Sequence, residues 1–200
     1  MKERPILFSG AMVRAILEGR KTQTRRVVKL PADADDVSYW TTPTGRSQVG
    51  YADPGVNYWT TRGNHIDPCP YGQPGDRLWV RETFYPSPCD IPTFCGFYRA
   101  TDEERDVKWK PSIFMPRALS RITLEVVGVR VERLQEISEA DAIAEGIVPL
   151  WLDGSPIRHD GTGAICRSHF QNLWDSINGK RADAAWADNP WVWVVEFKRI

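Results

Sequence analysis

Ile122, Leu124 and Val126 alternate with polar neighbours, and Val127, Val129 and Val131 then alternate in the opposite phase. Side chains along a strand point to opposite faces in turn, so a one-residue phase change would carry the apolar set to the wrong side of a sheet. A bulge or bend near Val126-Val127-Gly128 removes the conflict. The long strand region Arg121 to Leu134 is therefore expected to bend, as strands do at the corners of small barrels.

The other elements follow from shorter patterns. Ser9 suits a helix cap, and Met12, Val13, Ile16 and Leu17 take helical spacing, with Gly19 where a helix-ending residue needs positive φ. Thr22 to Val28 reads as a strand. Pro74-Gly75-Asp76 is a turn, followed by an alternating strand from Arg77 to Glu82 that sets Leu78 and Val80 against Arg77, Trp79 and Arg81. Ser138-Glu139-Ala140-Asp141 opens a short helix that runs to Glu145 and stops at Gly146. Ala164 to Ile177 carries Phe170, Leu173, Trp174 and Ile177 on one helical face. Trp191 to Phe197 has the composition of a buried strand. The sum is an α+β chain, expected to form a small mixed β-barrel with flanking helices; an α+β sandwich is the alternative.

Three stretches break this order, at about 30–74, 85–118 and 147–163. They are rich in Pro, Gly and Asp, and they read as long loop insertions in a single domain spanning 1–200, with one hairpin around Tyr39 to Thr61. Charge is balanced, with 26 Lys plus Arg against 26 Asp plus Glu. A global basic field is thus excluded, and any nucleic-acid contact needs a local patch. No run approaches the roughly 18 apolar residues of a membrane span. The first residues are too short an apolar run for a secretory leader, which points to a cytoplasmic protein with reduced thiols at Cys69, Cys89, Cys95 and Cys166.

The local patch is Gly19-Arg20-Lys21-Thr22-Gln23-Thr24-Arg25-Arg26, at the helix-to-strand junction. Strand alternation puts Thr22, Thr24 and Arg26 on one side, and Gln23 and Arg25 on the other. A basic run is more often a solvated face than a site. The other chemistry-bearing groups are weaker. Cys69, Cys89, Cys95 and His65 lack the close pairs of a zinc site, and neither metal nor cofactor is expected. Cys166 and His169 sit three apart on a helix with no third group, and His159 lies in a Gly/Asp loop. Trp79, Tyr98, Trp109 and Phe114 suit either base stacking or packing. Lys108-Trp109-Lys110 interleaves charge and ring as single-strand binders do.

The run from Ile16 to Arg26 resembles the signature of ASCH domains, Gly-x-Lys-x-x-Glu-x-Arg, a family of the PUA-like β-barrel class. Gly19, Lys21 and Arg26 fill their places, and Thr24 stands where many members carry Glu. A bacterial branch with Thr there is the N(4)-acetylcytidine amidohydrolases. Pro74 to Val80, Ile137 to Gly146 and Trp193 to Lys198 resemble further stretches of that branch. Cys69-Pro70-Tyr71-Gly72 before the turn also resembles phage and prophage proteins. The resemblance implies a PUA-like fold, with Lys21, Thr24 and Glu145 as the catalytic set. In that scheme Lys21 would be the base, Thr24 would attack or position water, and Glu145 would shuttle the proton. Arg20, Arg26, Trp79 and Glu82 are the expected substrate-binding residues, although Glu82 after Arg81 has the look of an ion-pair partner. The implied partner is a modified nucleoside or RNA, and oligomeric state is left open. Hydrolysis of the acylated base competes with two alternatives, a non-catalytic RNA-binding module and a single-stranded RNA ribonuclease.

Overall fold

The computed structural model describes residues 1–30, 35–41, 47–52, 64–87, 95–149, 151–152, 155–156 and 165–200. The elements run β1 (Glu3–Leu7), α1 (Gly10–Leu17), β2 (Gln23–Val27), β3 (Asp35–Thr41), β4 (Ser47–Ala52), β5 (Asn64–Pro68), β6 (Arg77–Arg81), β7 (Phe84–Ser87) and β8 (Cys95–Tyr98). They continue with β9 (Thr123–Arg133), α2 (Glu139–Ala144), β10 (Trp151–Leu152), β11 (Ser155–Pro156), α3 (Ile165–Asn178) and β12 (Trp191–Arg199). The architecture is a mixed α+β one. Among the described residues no helix is long and apolar enough to cross a membrane.

A five-stranded sheet in the order β1-β6-β9-β12-β2 forms the frame. β1 joins β6 in parallel, and the other pairs are antiparallel. The phase change in β9 is a bulge. Pairing with β12 shifts register between Glu196 and Phe197, which face Gly128 and Val126, so Val127 is skipped and exposed. Val129 and Val131 before the shift, and Val126 and Leu124 after it, all join the same core.

The sheet separates two apolar clusters. One holds Val126, Val131, Trp193, Val195 and Phe197 with Val13 and Ile16 of α1. The other holds Val192 and Val194 with Ala142 of α2 and Phe170 and Trp174 of α3. Cross-strand partners share a face. Thr24, opposite Val195, and Arg26, opposite Trp193, therefore belong to the first side; Arg25, opposite Val194, belongs to the second.

Two expectations change. The barrel does not close: among the described residues β1 and β2 are the edges of an open sheet, with no further strand paired to either. Pro5 lies in β1 and has no N–H to donate, a residue suited to an edge. The two edges still approach, since the Arg26 guanidinium donates to the Leu7 carbonyl at 2.9 Å. β1 itself has no counterpart in the sequence reading.

The first insertion is not a loop with one hairpin. Its described parts are β3, β4 and β5, an antiparallel three-stranded sheet docked on the core through Val49. The described parts of the other two insertions contain the β7–β8 hairpin and the short β10–β11 pair. Cys89 and His159 lie outside the described residues.

Candidate functional site

A cavity of about 530 Å³ lies where the two sheet edges approach. Leu7, Phe8 and Ser9 line it after β1, and Arg25, Arg26, Val27 and Lys29 line it along β2. Because β2 is an edge, residues of both parities reach the space. α3 adds Phe170, Trp174 and Asn178, and Pro111 to Ile113 close one side. That last segment is held in place because Lys110 bridges to Phe84 through paired backbone hydrogen bonds. The size falls in the range of small-molecule sites.

Glu145 is the carboxylate of this lining. It occupies the C-cap of α2, whose start is a reciprocal capping box between Ser138 and Asp141. Gly146 follows at φ +97°, and a Cβ there would lie 3.0 Å from the Ala15 Cβ and 3.3 Å from that of Lys21. Only glycine meets both demands, which lets α2 end against α1 and the Lys21 turn.

The Lys21 side chain is sealed, 0% exposed, and its Nζ donates to Glu145 Oε2 at 2.7 Å. The same ammonium donates to the Gln23 and Glu145 carbonyls, each at 2.8 Å, so all three of its protons are used. Burial pushes the Lys21 pKa down, Glu145 acts against that, and Arg26 and Arg25 lower it further. The other oxygen of Glu145 accepts from Arg25 at 3.3 Å.

Arg25 is also buried, and it anchors a wider network. It pairs with Glu132 and lies 3.6 Å from Asp141. Gln23 donates to Asp141 at 3.0 Å, and Arg130 bridges Glu132, Asp141 and Glu196. Burial would raise the Asp141 carboxyl, but hydrogen bonds from Ser138 and Gln23, with the Arg25 charge, bring it down to about 2.

Of the expected residues, Glu145 and Arg26 line this cavity, and Lys21 reaches it only through its contact with Glu145. Arg26 stacks over Phe8 at 5.3 Å and hydrogen-bonds Tyr71, whose hydroxyl pKa burial pushes up. Thr24 is 1% exposed and on the opposite face from Arg25, and among the described residues its Oγ1 has no hydrogen-bond partner. It does not line the cavity.

Arg20 lies outside the cavity as well. It is exposed and ties Glu18 to the Gly146 carbonyl. Trp79 is buried in β6 beneath the Arg81 guanidinium, 4.6 Å away. Glu82 is buried and committed to Arg121, with two contacts of 2.9 Å. Neither lines the cavity, although Thr83 beside Glu82 does. Tyr98 packs with Phe84, Met115 and Leu119 and donates to the Leu119 carbonyl. Cys166 sits in the α2–α3 cluster, where burial raises its thiol pKa.

The sequence reading missed Arg25, Tyr71, Asn178 and Arg181 as lining residues. Arg25 was visible in the motif, but only the ends of α2 and β9 reveal what it faces. Phe170 and Trp174 were legible as an apolar helix face, with no signal that part of it meets a cavity.

No family model matches the chain, and no curated protein matches it. Among solved structures, the chain is similar to the ASCH domain from Lactobacillus crispatus JV V101. That similarity has 12% sequence identity and a TM-score of 0.37, and it covers 99% of this chain and 79% of that one. The motif from Gly19 to Arg26 resembles the same family. An identity and superposition at this level carry no residue role from that protein to this one.

Proposed function

We propose that this protein is an ASCH-type hydrolase that removes an acyl group from the exocyclic amine of a modified base, N(4)-acetylcytidine or a close relative. The observation that carries this reading is the Glu145 carboxylate on the cavity wall, held between Lys21 at 2.7 Å and Arg25 at 3.3 Å. A carboxylate oriented by two cations, in a cavity walled by Phe8, Phe170 and Trp174, combines an acid–base group with surfaces for a flat ring.

In this scheme a water molecule attacks the acetyl carbonyl carbon and gives a proton to Glu145. The oxyanion forms beside Arg26, which supplies positive charge at the cavity wall. The carbon–nitrogen bond then breaks, the amine takes the proton from Glu145, and acetate and cytidine leave. Lys21 is the positioning partner of Glu145 in this chemistry. All three protons of the Lys21 ammonium already have acceptors inside the protein, which leaves the role of base to Glu145 at the cavity wall. The unpartnered hydroxyl of Thr24 stays behind the cavity wall and takes no step.

The saturation of the Lys21 ammonium also favours a second reading, in which the same pocket binds the modified nucleoside or RNA without cleaving it. Incubation with N(4)-acetylcytidine separates the two. The hydrolase predicts release of cytidine and acetate, reduced at least roughly a hundredfold per folded molecule in Glu145→Gln, with the folded fraction read from its circular dichroism melt. Saturable binding with no acetate released by the wild type would sink the hydrolase and support the binding module. Shortening of a labelled single-stranded RNA would replace both with a ribonuclease.

A further inference from the structure

The cations around the cavity divide into two kinds. Arg25 is neutralised by Glu132, Asp141 and Glu145, whereas Arg26 donates to the Leu7 carbonyl and hydrogen-bonds Tyr71, neutral groups that leave its charge available at the cavity wall. Lys29 and Arg181 also line the cavity, but both are exposed. Among the described residues neither makes an ion pair with a carboxylate. Arg181 donates to the neutral Asn178 side chain at 3.3 Å and interacts electrostatically with the Tyr71 hydroxyl, and that asparagine is itself buried at 8% exposure. Among the described residues Arg25 is therefore compensated, while Arg26, Lys29 and Arg181 form no ion pair with a carboxylate, and of these three Lys29 and Arg181 are the exposed ones, at the mouth.

We infer that the ligand of this cavity carries a phosphate, seated at the mouth between Lys29 and Arg181, while its base lies against Glu145. This rests on the same site as the proposed function and narrows its ligand from a bare nucleoside to a phosphorylated one. Spacing supports the division. Lys29 lies three residues beyond Arg26, and the backbone hydrogen bond from Val28 to Trp191 continues the ladder past β2. At an extended rise this separates Lys29 from Arg26 by roughly 10 Å along the backbone. The lining of the same cavity includes Phe8, Tyr71, Phe170 and Trp174, surfaces for a ring and a sugar. An arginine fork beside a lysine is a common pairing for phosphate.

A competing account exists for Arg181. It follows the C-terminus of α3, where any cation complements the helix dipole. That role predicts an effect on stability and none on ligand preference.

Calorimetric titration at low salt with cytidine, cytidine 5′-monophosphate and cytidylyl-cytidine tests the inference. The phosphorylated ligands should bind roughly tenfold more tightly than cytidine, and the advantage should shrink as salt rises. In Lys29→Gln/Arg181→Gln the ratio of affinities should fall to near one. Both side chains are exposed, so the double variant should fold, and its melting curve checks this. A preference for the monophosphate identifies a terminal phosphate monoester; one for cytidylyl-cytidine identifies the phosphodiester of an RNA. Equal affinity for cytidine and both phosphorylated ligands would overturn the inference, as would a phosphate preference that survives in the double variant. Binding is read without turnover. A phosphate preference in a protein that releases no acetate would leave this inference standing while the hydrolase fails, and acetate release without the preference would do the reverse.

Discussion

Replacing Glu145 with Gln should destabilise the protein strongly at neutral pH and much less at high pH. The perturbation leaves the Lys21 ammonium sealed at 0% exposure with no carboxylate. It also turns an acceptor toward Arg25 into an amide that cannot satisfy both cations. Removing one partner of a buried pair costs about 3–5 kcal/mol, mostly from the uncompensated charge. The pH dependence has a definite sign. Burial already holds the Lys21 pKa below its ordinary value, and Glu145 opposes that drop. Without Glu145 the folded-state pKa falls further. Between that pKa and the unfolded one, the unfolded chain binds more protons, so the variant gains stability as pH rises. The gap to wild type should thus be widest where Lys21 is charged in both proteins and narrow as pH rises into the alkaline range, where the variant's Lys21 sheds its proton first. Urea denaturation of both proteins across this range measures it. A gap under about 1 kcal/mol at pH 6, or a gap that stays flat with pH, would refute the view that Lys21 is charged and dependent on Glu145.

Three further outcomes are expected. Gly146→Ala should lower stability by about 1–3 kcal/mol, because position 146 has φ +97° and a Cβ would press on Ala15 and Lys21; thermal melting reads the loss. Asp141 has a depressed carboxyl pKa of about 2, so its contribution is present above the unfolded value and lost as pH falls from near 4 toward 2. Acid unfolding of Asp141→Asn should show that step removed, at most about 2 kcal/mol after screening at a side chain one quarter exposed. Cys69, raised to about 11, and Cys166 are buried free thiols, so in the native state no more than two of the four cysteines should react quickly with a thiol reagent.

Much of the frame was legible because it rests on local rules. Ser9 caps α1, Gly19 at φ +75° ends it, and Ser138 and Asp141 box the start of α2, as their residue types require. The phase change in β9 was readable because a buried face tolerates no slip, and the bulge at Val127 is the physical resolution. β1 was not legible, since a five-residue strand with a proline inside it gives almost no signal and pairs in parallel with a partner more than 70 residues away. The sheet of β3, β4 and β5 was hidden in the same way by prolines and glycines whose strands depend on one another.

The sequence by itself determined that Lys21 stands at a helix-to-strand turn, that Thr24 and Arg25 face opposite ways, and that Glu145 ends a short capped helix. Each of these follows from backbone geometry over a few residues. Only the tertiary structure decided which of them share a site. Strand alternation separates Thr24 from Arg25, while the docking of α2 brings Glu145 within 2.7 Å of Lys21 across 124 positions of chain. The approach of the β1 and β2 edges then frames the cavity that this carboxylate lines. Such contacts depend on how elements pack, and residue spacing along the chain carries no record of that.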